Sequence, residues 1–343
     1  MRALVVCTGG GIGDVLLATP LMRALRSRYD EVAALTSVRN RAVLAGNADL
    51  ANLWVSDASL GADVARVMPY RFDACVVTWA TARTAALPAL ARIPVRVGQA
   101  RRLYSPLFTR RVVVRSERGD RTSHWTQILL DFARALDCDT DDAMPAFVVP
   151  DDARENVSRL LDACGVTKPY VVIHPTRGIS ELHRRWPTER FVALARAFGA
   201  RGYGVVVTGT AGDRAIAEAI AERSGAVSLA VRTSLAEFGA LAEASAGVMA
   251  MDSGPMHVAA AVGAKTVGIF ALQSDEPDRW APLGPHVAVV RATYPCPPDH
   301  RKETCPNFAC VANIDVGRVL MKFDALDRTA GDARPLTTER DDP

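Results

Sequence analysis

Residues 248–262 read Val-Met-Ala-Met-Asp-Ser-Gly-Pro-Met-His-Val-Ala-Ala-Ala-Val, and this stretch decides the fold. Its first four residues are apolar throughout, as in a strand buried on both faces of a parallel sheet. A helix of small residues is predicted over 256–262, directly after the strand. A buried strand that passes at once into a helix is typical of an open parallel sheet covered by crossover helices.

Working outward from this stretch, the same alternation fills the chain. In the second half, strands are predicted at 170–173, 204–207, 227–230 and 266–270, with helices at 188–201, 213–223 and 235–244. In the first half, strands are predicted at 4–7, 32–35, 53–55 and 74–77, with a helix from Asp14 to about Arg28 that Pro20 either kinks or begins. The pattern predicts an α/β protein with two Rossmann-like domains.

The alternation breaks once, between Asp139 and Pro169, where acidic and proline-containing segments intervene. We therefore predict domains at 1–150 and 151–330, followed by a polar, disordered tail at 331–343. Ligands of doubly wound sheets bind at the carboxyl ends of the strands, so the functional residues are expected there, in the cleft between the domains.

Composition indicates where in the cell this protein is expected. Of the 343 residues, 49% are apolar, yet no apolar run approaches the roughly 18 residues that span a bilayer. The first apolar run is too short for a signal peptide, and the seven cysteines are an odd number spread along a long chain. We expect a cytoplasmic protein, with peripheral contact to the cytoplasmic face of the inner membrane as an option.

Positive charge is concentrated in residues 83–134, which hold eleven arginines and three acidic residues in a chain of net charge +3. One interpretation is a solvated surface. The other is a patch for an anionic partner, such as a phosphorylated glycolipid or a membrane. No aromatic stacking platform or DNA-reading helix accompanies the arginines, so nucleic acid is not expected.

A glycine-rich loop with a carboxylate follows the first strand, as Gly9-Gly10-Gly11-Ile12-Gly13-Asp14. It fits neither the dinucleotide fingerprint nor the Walker loop. Gly11 and Gly13 let the backbone approach a ligand closely. Asp14 has two interpretations: it caps the helix that begins here, or it is a general base aimed into the cleft.

Three further segments end strands of the second half. His174-Pro175-Thr176-Arg177 with Arg184-Arg185-Trp186-Pro187 offers cations for a diphosphate, although surface arginines are the alternative. Asp213 either begins a helix or accepts hydrogen bonds from a ribose.

The segment Asp252-Ser253-Gly254-Pro255-Met256-His257 precedes and opens a helix. The free N–H groups at a helix start, with Gly254 allowing close approach, form an anion site. His257 lies one turn further and is able to donate to a phosphate oxygen, although a lone histidine is more often structural.

Cys296, Cys305 and Cys310 lie in a proline-rich segment. Three thiols within fifteen residues suggest metal, but the C-x-x-C pairing of structural zinc sites is absent, and we predict no metal site.

Taken together, these segments resemble glycosyltransferase family 9, the ADP-heptose:lipopolysaccharide heptosyltransferases. The motifs that carry the resemblance are Gly13-Asp14-Val15-Leu16-Leu17-Ala18-Thr19-Pro20, His174-Pro175, Arg184-Arg185-Trp186-Pro187 and Asp252-Ser253-Gly254 with His257. The resemblance implies a GT-B fold, whose two Rossmann-like domains face a central cleft, and an inverting transfer of heptose from ADP-heptose to an acceptor hydroxyl without an essential metal or cofactor.

The resemblance also implies a role for each residue. Asp14 is the catalytic base, and the remaining residues bind the donor: Gly11, Gly13, Thr176, Arg184, Asp213, Asp252, Ser253, Gly254 and His257. The first domain binds the acceptor, most simply an anionic glycolipid of the lipopolysaccharide inner core, and the second binds the nucleotide-sugar.

Three positions depart from the family pattern: Arg184 replaces a lysine, Asp213 a longer glutamate and Thr176 a glycine. Arginine and lysine are not interchangeable at a phosphate site, because arginine offers a planar fork of donors and lysine a compact ammonium. Alternatives are transfer to a protein or small molecule, another nucleotide-sugar donor, and a GT-B protein that binds nucleotide-sugar without catalysis.

Overall fold

A computed structural model describes residues 1–176, 185–272, 276–294, 305 and 308–328. Arg184, Cys296 and the predicted tail at 331–343 lie outside the described residues. Within those described ranges, no helix is both long and apolar enough to cross a membrane.

The first half forms a sheet with flanking helices. Its elements are β1 (Arg2–Cys7), α1 (Ile12–Leu16), α2 (Thr19–Leu25), β2 (Glu31–Thr36), α3 (Arg41–Leu44), β3 (Asn52–Val55), α4 (Leu60–Val67), β4 (Ala74–Val77), α5 (Ala82–Leu90), β5 (Val95–Gln99), β6 (Arg110–Val112) and α6 (Trp125–Arg134). These strands form one six-stranded sheet in the order β3-β2-β1-β4-β5-β6.

The second half repeats this plan. Its elements are α7 (Asp151–Ala163), β7 (Tyr170–His174), α8 (Thr188–Ala200), β8 (Gly204–Val207), α9 (Arg214–Ser224), β9 (Val227–Ser228), α10 (Leu235–Glu243), β10 (Gly247–Met251), α11 (Gly254–Ala261), β11 (Thr266–Phe270), α12 (Pro277–Trp280), β12 (Val287–Arg291) and α13 (Val316–Arg328). The sheet order is β12-β11-β10-β7-β8-β9.

Both sheets are parallel throughout their described ladders. Counted from the first strand of each half, the order is 3-2-1-4-5-6 in both, which is the order of dinucleotide-binding folds. The order reverses between β1 and β4 in one sheet and between β7 and β10 in the other. A crevice opens at such a reversal, so the loops after β1, β7 and β10 are the places where a ligand is expected.

Alternation along the strands explains why they read as continuous apolar runs. Val5 of β1 faces one buried cluster and Leu4 faces another, so both sides of the sheet are covered. In β7, Val172 likewise faces one buried cluster and Val171 faces another. The cluster that holds Val5 also holds Val172, so one continuous apolar core joins the inner faces of the two halves.

The chain after β1 differs from the single helix expected from Asp14 to about Arg28. Helix α1 begins two residues earlier, at Ile12, and ends at Leu16, and α2 begins at Thr19 with Pro20 in its first turn. Proline lacks the N–H that a helix interior requires, so Pro20 begins a second helix rather than kinking one.

Three strands have no counterpart in the sequence prediction: β5, β6 and β12. In β5, Arg96 and Gly98 interrupt the apolar run. The Arg96 guanidinium donates to the backbone carbonyls of Ile93 and Leu107, and the ring of Phe108 covers Gly98. Tertiary contacts that pattern alone does not reveal therefore stabilise this strand.

Candidate active site

Asp14 is the third residue of α1, and its side chain closes a capping arrangement. The N–H of Gly11 donates to Asp14 Oδ2 over 2.7 Å, so the capping interpretation describes the observed contact. Burial raises the pKa of the Asp14 carboxyl above its usual range, while this hydrogen bond partly opposes the rise. Capping and base catalysis are compatible, because a bond that fixes Oδ2 also orients the carboxylate, and a raised pKa makes it a stronger base.

The loop before Asp14 depends on glycine at Gly10. Its φ of +78° is a left-handed conformation that favours glycine, and a Cβ there would lie 2.7 Å from the Cβ of Asp14. The loop and the carboxylate are therefore packed together as one unit.

Helices α1 and α11 meet across the cleft through two more glycines. A Cβ on Gly13 would lie 2.9 Å from Cδ2 of His257, and one on Gly254 would lie 2.7 Å from the Cβ of Ile12. A Cβ on Gly254 would also come within 3.4 Å of the Gly13 nitrogen. The Asp14 loop of the first half and the start of α11 in the second half therefore pack so closely that neither glycine has room for a side chain.

His257 is buried at this contact. Its side chain is 4% exposed, and Nδ1 has no hydrogen-bond partner among the described residues. Burial, reinforced by the neighbouring His124, lowers the pKa of His257 to about 3. The imidazole is neutral at neutral pH, so its contribution to a phosphate site is one N–H donor rather than a charge.

The start of α11 lacks a side-chain cap. Ser253 is the N-cap residue, but its hydroxyl donates to the carbonyl of Met251 over 2.9 Å and makes no capping bond. Asp252 is half-buried beside it, with its N–H donating to the carbonyl of Ile269. Ser253 makes no capping bond among the described residues, so the N–H groups of Gly254 and Met256, on either side of Pro255, are the candidates for binding an anion.

The end of β7 carries a chain of polar contacts between neighbouring strands. His174 Nδ1 lies 3.0 Å from the Thr208 hydroxyl at the end of β8, and His174 Nε2 lies 3.4 Å from the Thr176 hydroxyl. All three residues are buried. Burial lowers the pKa of His174 to about 4, so a neutral imidazole fixes the position of Thr176.

Asp213 is also buried, and it adopts the turn-capping arrangement that the sequence left open. Its Oδ2 accepts from the backbone N–H of Thr210 over 2.9 Å and from the Thr210 hydroxyl over 2.6 Å. The charge of Asp213 is felt by two neighbours, because it partly offsets the burial that lowers the pKa values of Arg185 and His174. Asp213, His174 and Arg185 therefore share one neighbourhood.

Arg185 is the described cation of this loop, since Arg184 lies outside the described residues. Arg185 is 9% exposed, and its Nε has no hydrogen-bond partner within the described ranges. Trp186 follows it, with its indole N–H donating to the carbonyl of Ile314 over 2.8 Å. This bond joins Trp186, and with it the backbone next to Arg185, to the C-terminal segment.

A second contact joins the two halves beside the site. His124 begins α6 and places Nε2 2.9 Å from the carbonyl of Ala281, while its Nδ1 accepts the N–H of Thr126. The rings of Trp125 and Trp280 stack with centroids 5.0 Å apart.

The same contact includes Arg279 Nη2, which donates to the carbonyl of Asp120 over 2.6 Å. Sequence reasoning missed His124, Trp125 and Arg279. The one signal in the sequence that could have pointed to this contact is a histidine, His124, placed just before the amphipathic helix α6.

The arginine-rich segment is largely engaged in internal contacts. Eight of its arginines make ion pairs or donate to carbonyls: Arg83 to Asp63, Arg96 to Ile93 and Leu107, Arg101 and Arg102 to Glu117, Arg110 to Asp137, Arg111 to Phe108, and Arg115 and Arg134 to Asp131. The side chains of Arg92, Arg118 and Arg121 make no such contact with described residues. This pairing favours a structured surface over a freely available cationic patch.

Metal binding has no support in the described part of the chain. There, no group of three or more histidine, cysteine, aspartate or glutamate side chains is arranged to hold an ion. Cys305 is half-buried and Cys310 is buried.

Comparison with known proteins agrees with this architecture. The chain matches the description of glycosyltransferase family 9 (heptosyltransferase) over residues 64–308. Asp14 precedes the matched residues, whereas the predicted donor residues of the second half fall within them.

Individual relatives are more distant. The chain is 35% identical over 125 residues to lipopolysaccharide heptosyltransferase 3 of Escherichia coli K12, an alignment that covers 35% of this chain and 36% of that relative. The matched part thus spans about a third of the relative's length.

Two solved structures share the fold. The family 9 glycosyltransferase of Veillonella parvula has a TM-score of 0.81 at 20% identity and covers 95% of this chain and 96% of its own. The E. coli ADP-heptose lipopolysaccharide heptosyltransferase II has a TM-score of 0.77 at 21% identity, and the match covers 96% of this chain and 100% of that one. The two parallel sheets facing one cleft form the GT-B fold predicted from the sequence, and because the family match extends over most of the chain, this protein belongs to glycosyltransferase family 9.

Proposed function

We propose that this protein transfers a heptose from ADP-heptose to an acceptor hydroxyl with inversion, as a step of lipopolysaccharide inner-core biosynthesis. Family membership and the activities named for its relatives support the reaction class. The observation that carries the proposal is the contact between the Asp14 loop and the start of α11. It brings a carboxylate of raised pKa next to N–H groups suited to a diphosphate.

The donor would lie along the carboxyl ends of β7, β8 and β10. The uncapped start of α11, with Asp252, Ser253 and Gly254, would hold the pyrophosphate. His257 would add a neutral donor.

Further along the same edge, Thr176 and Asp213 would contact the sugar and the ribose of the donor. Arg184, with Arg185 beside it, would neutralise the leaving diphosphate. Gly11 and Gly13 would allow the close approach of the donor to the Asp14 loop. The acceptor would enter from the first half, residues 1–150, with residues 151–330 as the donor domain.

In the reaction, Asp14 would accept the proton of the acceptor hydroxyl as its oxygen attacks the anomeric carbon. The new C–O bond forms on the face opposite the diphosphate, and the bond from the anomeric carbon to the ADP oxygen breaks. ADP leaves with the electron pair, and its charge is stabilised by the cations and helix N–H groups. We propose that residues of the chain fill each of these roles, with no part for a metal or cofactor.

The arginines without described partners, Arg92, Arg118 and Arg121, would favour an anionic glycolipid over a neutral one. We also propose a cytoplasmic enzyme that contacts the inner membrane peripherally, because its acceptor is anchored there.

Asp14→Asn and Asp14→Ala separate catalysis from capping. Asparagine retains a side-chain oxygen for the Gly11 N–H but loses the base, so both variants should lose about two to four decades of transfer rate. Alanine alone should also lose the cap, at a cost of about 1 kcal/mol of unfolding free energy. The measurements are transfer from ADP-heptose to truncated-core acceptors by mass spectrometry, calorimetric ADP affinity and denaturant unfolding.

ADP affinity should stay within a few fold of the parent in both variants. An Asp14→Asn enzyme that keeps its full rate would remove Asp14 as the base and leave only the cap. Transfer from other nucleotide-sugars but not from ADP-heptose would contradict the donor.

A further inference from the structure

The first half contains a cavity of about 270 Å³ at the carboxyl ends of β4 and β5. Its lining includes Thr78, Trp79, Gln99, Arg102, Tyr104 and Trp125, together with apolar side chains from α6. The predicted donor residues are not part of it. Its size is just below the usual range of ligand pockets, which begins at about 300 Å³, and suits a group of one ring.

Trp79 ties this cavity to the catalytic loop. A Cβ on Gly9 would lie 2.3 Å from Cδ1 of Trp79, so the indole rests directly on the loop that presents Asp14. Trp79 is nevertheless 42% exposed, which is unusual for so large an apolar ring, so part of its side chain is accessible to a ligand. A group bound against that face would therefore lie next to the Asp14 loop.

The neighbouring part of the lining is aromatic as well. The ring of Trp125 meets that of Trp79 edge-on, with centroids 6.2 Å apart and an interplanar angle of 61°. Trp125 Nε1 is buried without a hydrogen-bond partner among the described residues. A buried indole N–H normally has an acceptor, so this one indicates a polar ligand atom that the chain itself does not supply.

The polar side of the cavity carries no net charge. Gln99 donates to Glu117 Oε1 over 2.9 Å, and Arg102 pairs with the same oxygen over 2.8 Å. Glu117 Oε2 is buried and has no described partner. The carboxylate neutralises the only cation of the lining, so the cavity offers hydrogen bonds without attracting an anion.

We infer that this cavity binds an uncharged pyranose ring of the acceptor, stacked on Trp79, an inference that rests on the proposed function. A pyranose has an apolar face of C–H groups and an edge of hydroxyls. The first matches the indole, and the second matches Gln99, Arg102 and the unpartnered Nε1 of Trp125. The balanced charge excludes a sugar acid or a phosphate from this cavity, so any anionic groups of the acceptor bind elsewhere.

Binding is tested directly on the full chain, without turnover, by saturation-transfer NMR with methyl heptopyranoside and a methyl uronoside as probes. The parent should bind the heptoside and discriminate against the acid. Trp79→Ala should weaken heptoside binding about tenfold, as loss of an aromatic anchor does, while Trp79→Phe should retain most of it. Gln99→Ala should also weaken it, and Arg159→Ala, which alters an exposed arginine on α7 outside the cavity, should not.

Charge selection has its own variant. Glu117→Gln leaves Arg102 without its carboxylate, so the uronoside should then bind at least as well as the heptoside. Calorimetric ADP affinity should be unchanged in all these variants, and unfolding midpoints identify any variant that is misfolded.

Heptoside binding that does not respond to Trp79→Ala or Gln99→Ala would overturn the inference, as would equal binding of the uronoside by the parent. If heptoside binding follows the predicted pattern but no acceptor is glycosylated from ADP-heptose, the sugar site stands and the proposed function fails. If transfer occurs and its acceptor KM is the same in Trp79→Ala and the parent, the function stands and the sugar site fails.

Discussion

At the scale of single residues, His257 lies buried where α11 meets α1, and its pKa is lowered from 6.5 to about 3. Between these two values the unfolded chain binds one more proton at this position than the folded chain. The free energy of unfolding is therefore not reduced by His257 above about pH 6.5, and it decreases as the pH falls from there towards 3. The slope for one such histidine is about 1.4 kcal/mol per pH unit.

His257→Gln should remove this pH dependence. Denaturant unfolding of the parent and the variant between pH 7 and pH 4 isolates the histidine, because the other titrating groups are common to both. The gap between the two proteins should narrow as the pH falls, at up to the slope given above. Parallel curves across this range would show that His257 is not held neutral in the fold.

Part of the site was predictable at this scale because chemistry follows the ends of strands. A carboxylate after β1 and a glycine before α11 are visible in the sequence, and they lie at the two sheet reversals. The capping bonds of Asp14 and Asp213 were visible only as alternatives, since spacing alone does not separate a cap from a catalytic or binding group. The unpartnered atoms of Trp125 and Arg185 were not predictable, because burial of one atom depends on the whole fold.

At the scale of secondary-structure elements, the position of α1 against α11 depends on Gly13. Its backbone conformation is helical, so alanine would fit α1 itself, but the added Cβ would lie 2.9 Å from the His257 ring. Gly13→Ala should therefore destabilise the fold by about 1–3 kcal/mol through overpacking. Gly11→Ala is the matched control, since its Cβ would meet Asp14 Oδ2 at an ordinary 3.7 Å.

Denaturant unfolding of the two variants measures the difference. Gly11→Ala should stay within about 0.5 kcal/mol of the parent, as expected for a substitution without a clash. Equal stability of both variants would mean that α1 and α11 are not in contact in solution.

One of the strands missed by sequence reasoning, β5, has a clear physical cause. Strand β5 contains Arg96 and Gly98, which interrupt the apolar run that marks a buried strand. Both become favourable only after folding, when the guanidinium finds carbonyl acceptors and Phe108 fills the space above the glycine. Strands such as β4, whose four residues are all buried and apolar, were located to the residue.

At the scale of the whole molecule, the two halves are joined by more than the contact between the Asp14 loop and α11. The Trp125–Trp280 stack and the Arg279 bond to Asp120 lie on the side of α6. None of these residues belongs to a motif. The sequence therefore predicted two domains and a cleft, but not the contacts that hold the two domains together. Trp125 also lines the first-half cavity, so one side chain links that cavity to the domain contact.

Trp280→Ala should weaken this domain contact without unfolding either half. A stacked aromatic pair contributes about 0.5–1.5 kcal/mol beyond its buried area, which corresponds to roughly a 2- to 13-fold shift towards separated domains. Hydrogen exchange should rise by that factor in residues 120–125 and 276–282, and small-angle scattering should report a larger mean radius. Met321→Ala, which alters an exposed side chain on α13, is the control.

Because the remaining bonds at His124 and Arg279 still join the halves, the exchange of β1 and β7 should match the parent. Faster exchange in those strands would mean that Trp280 stabilises the fold of its own half rather than the contact between the two.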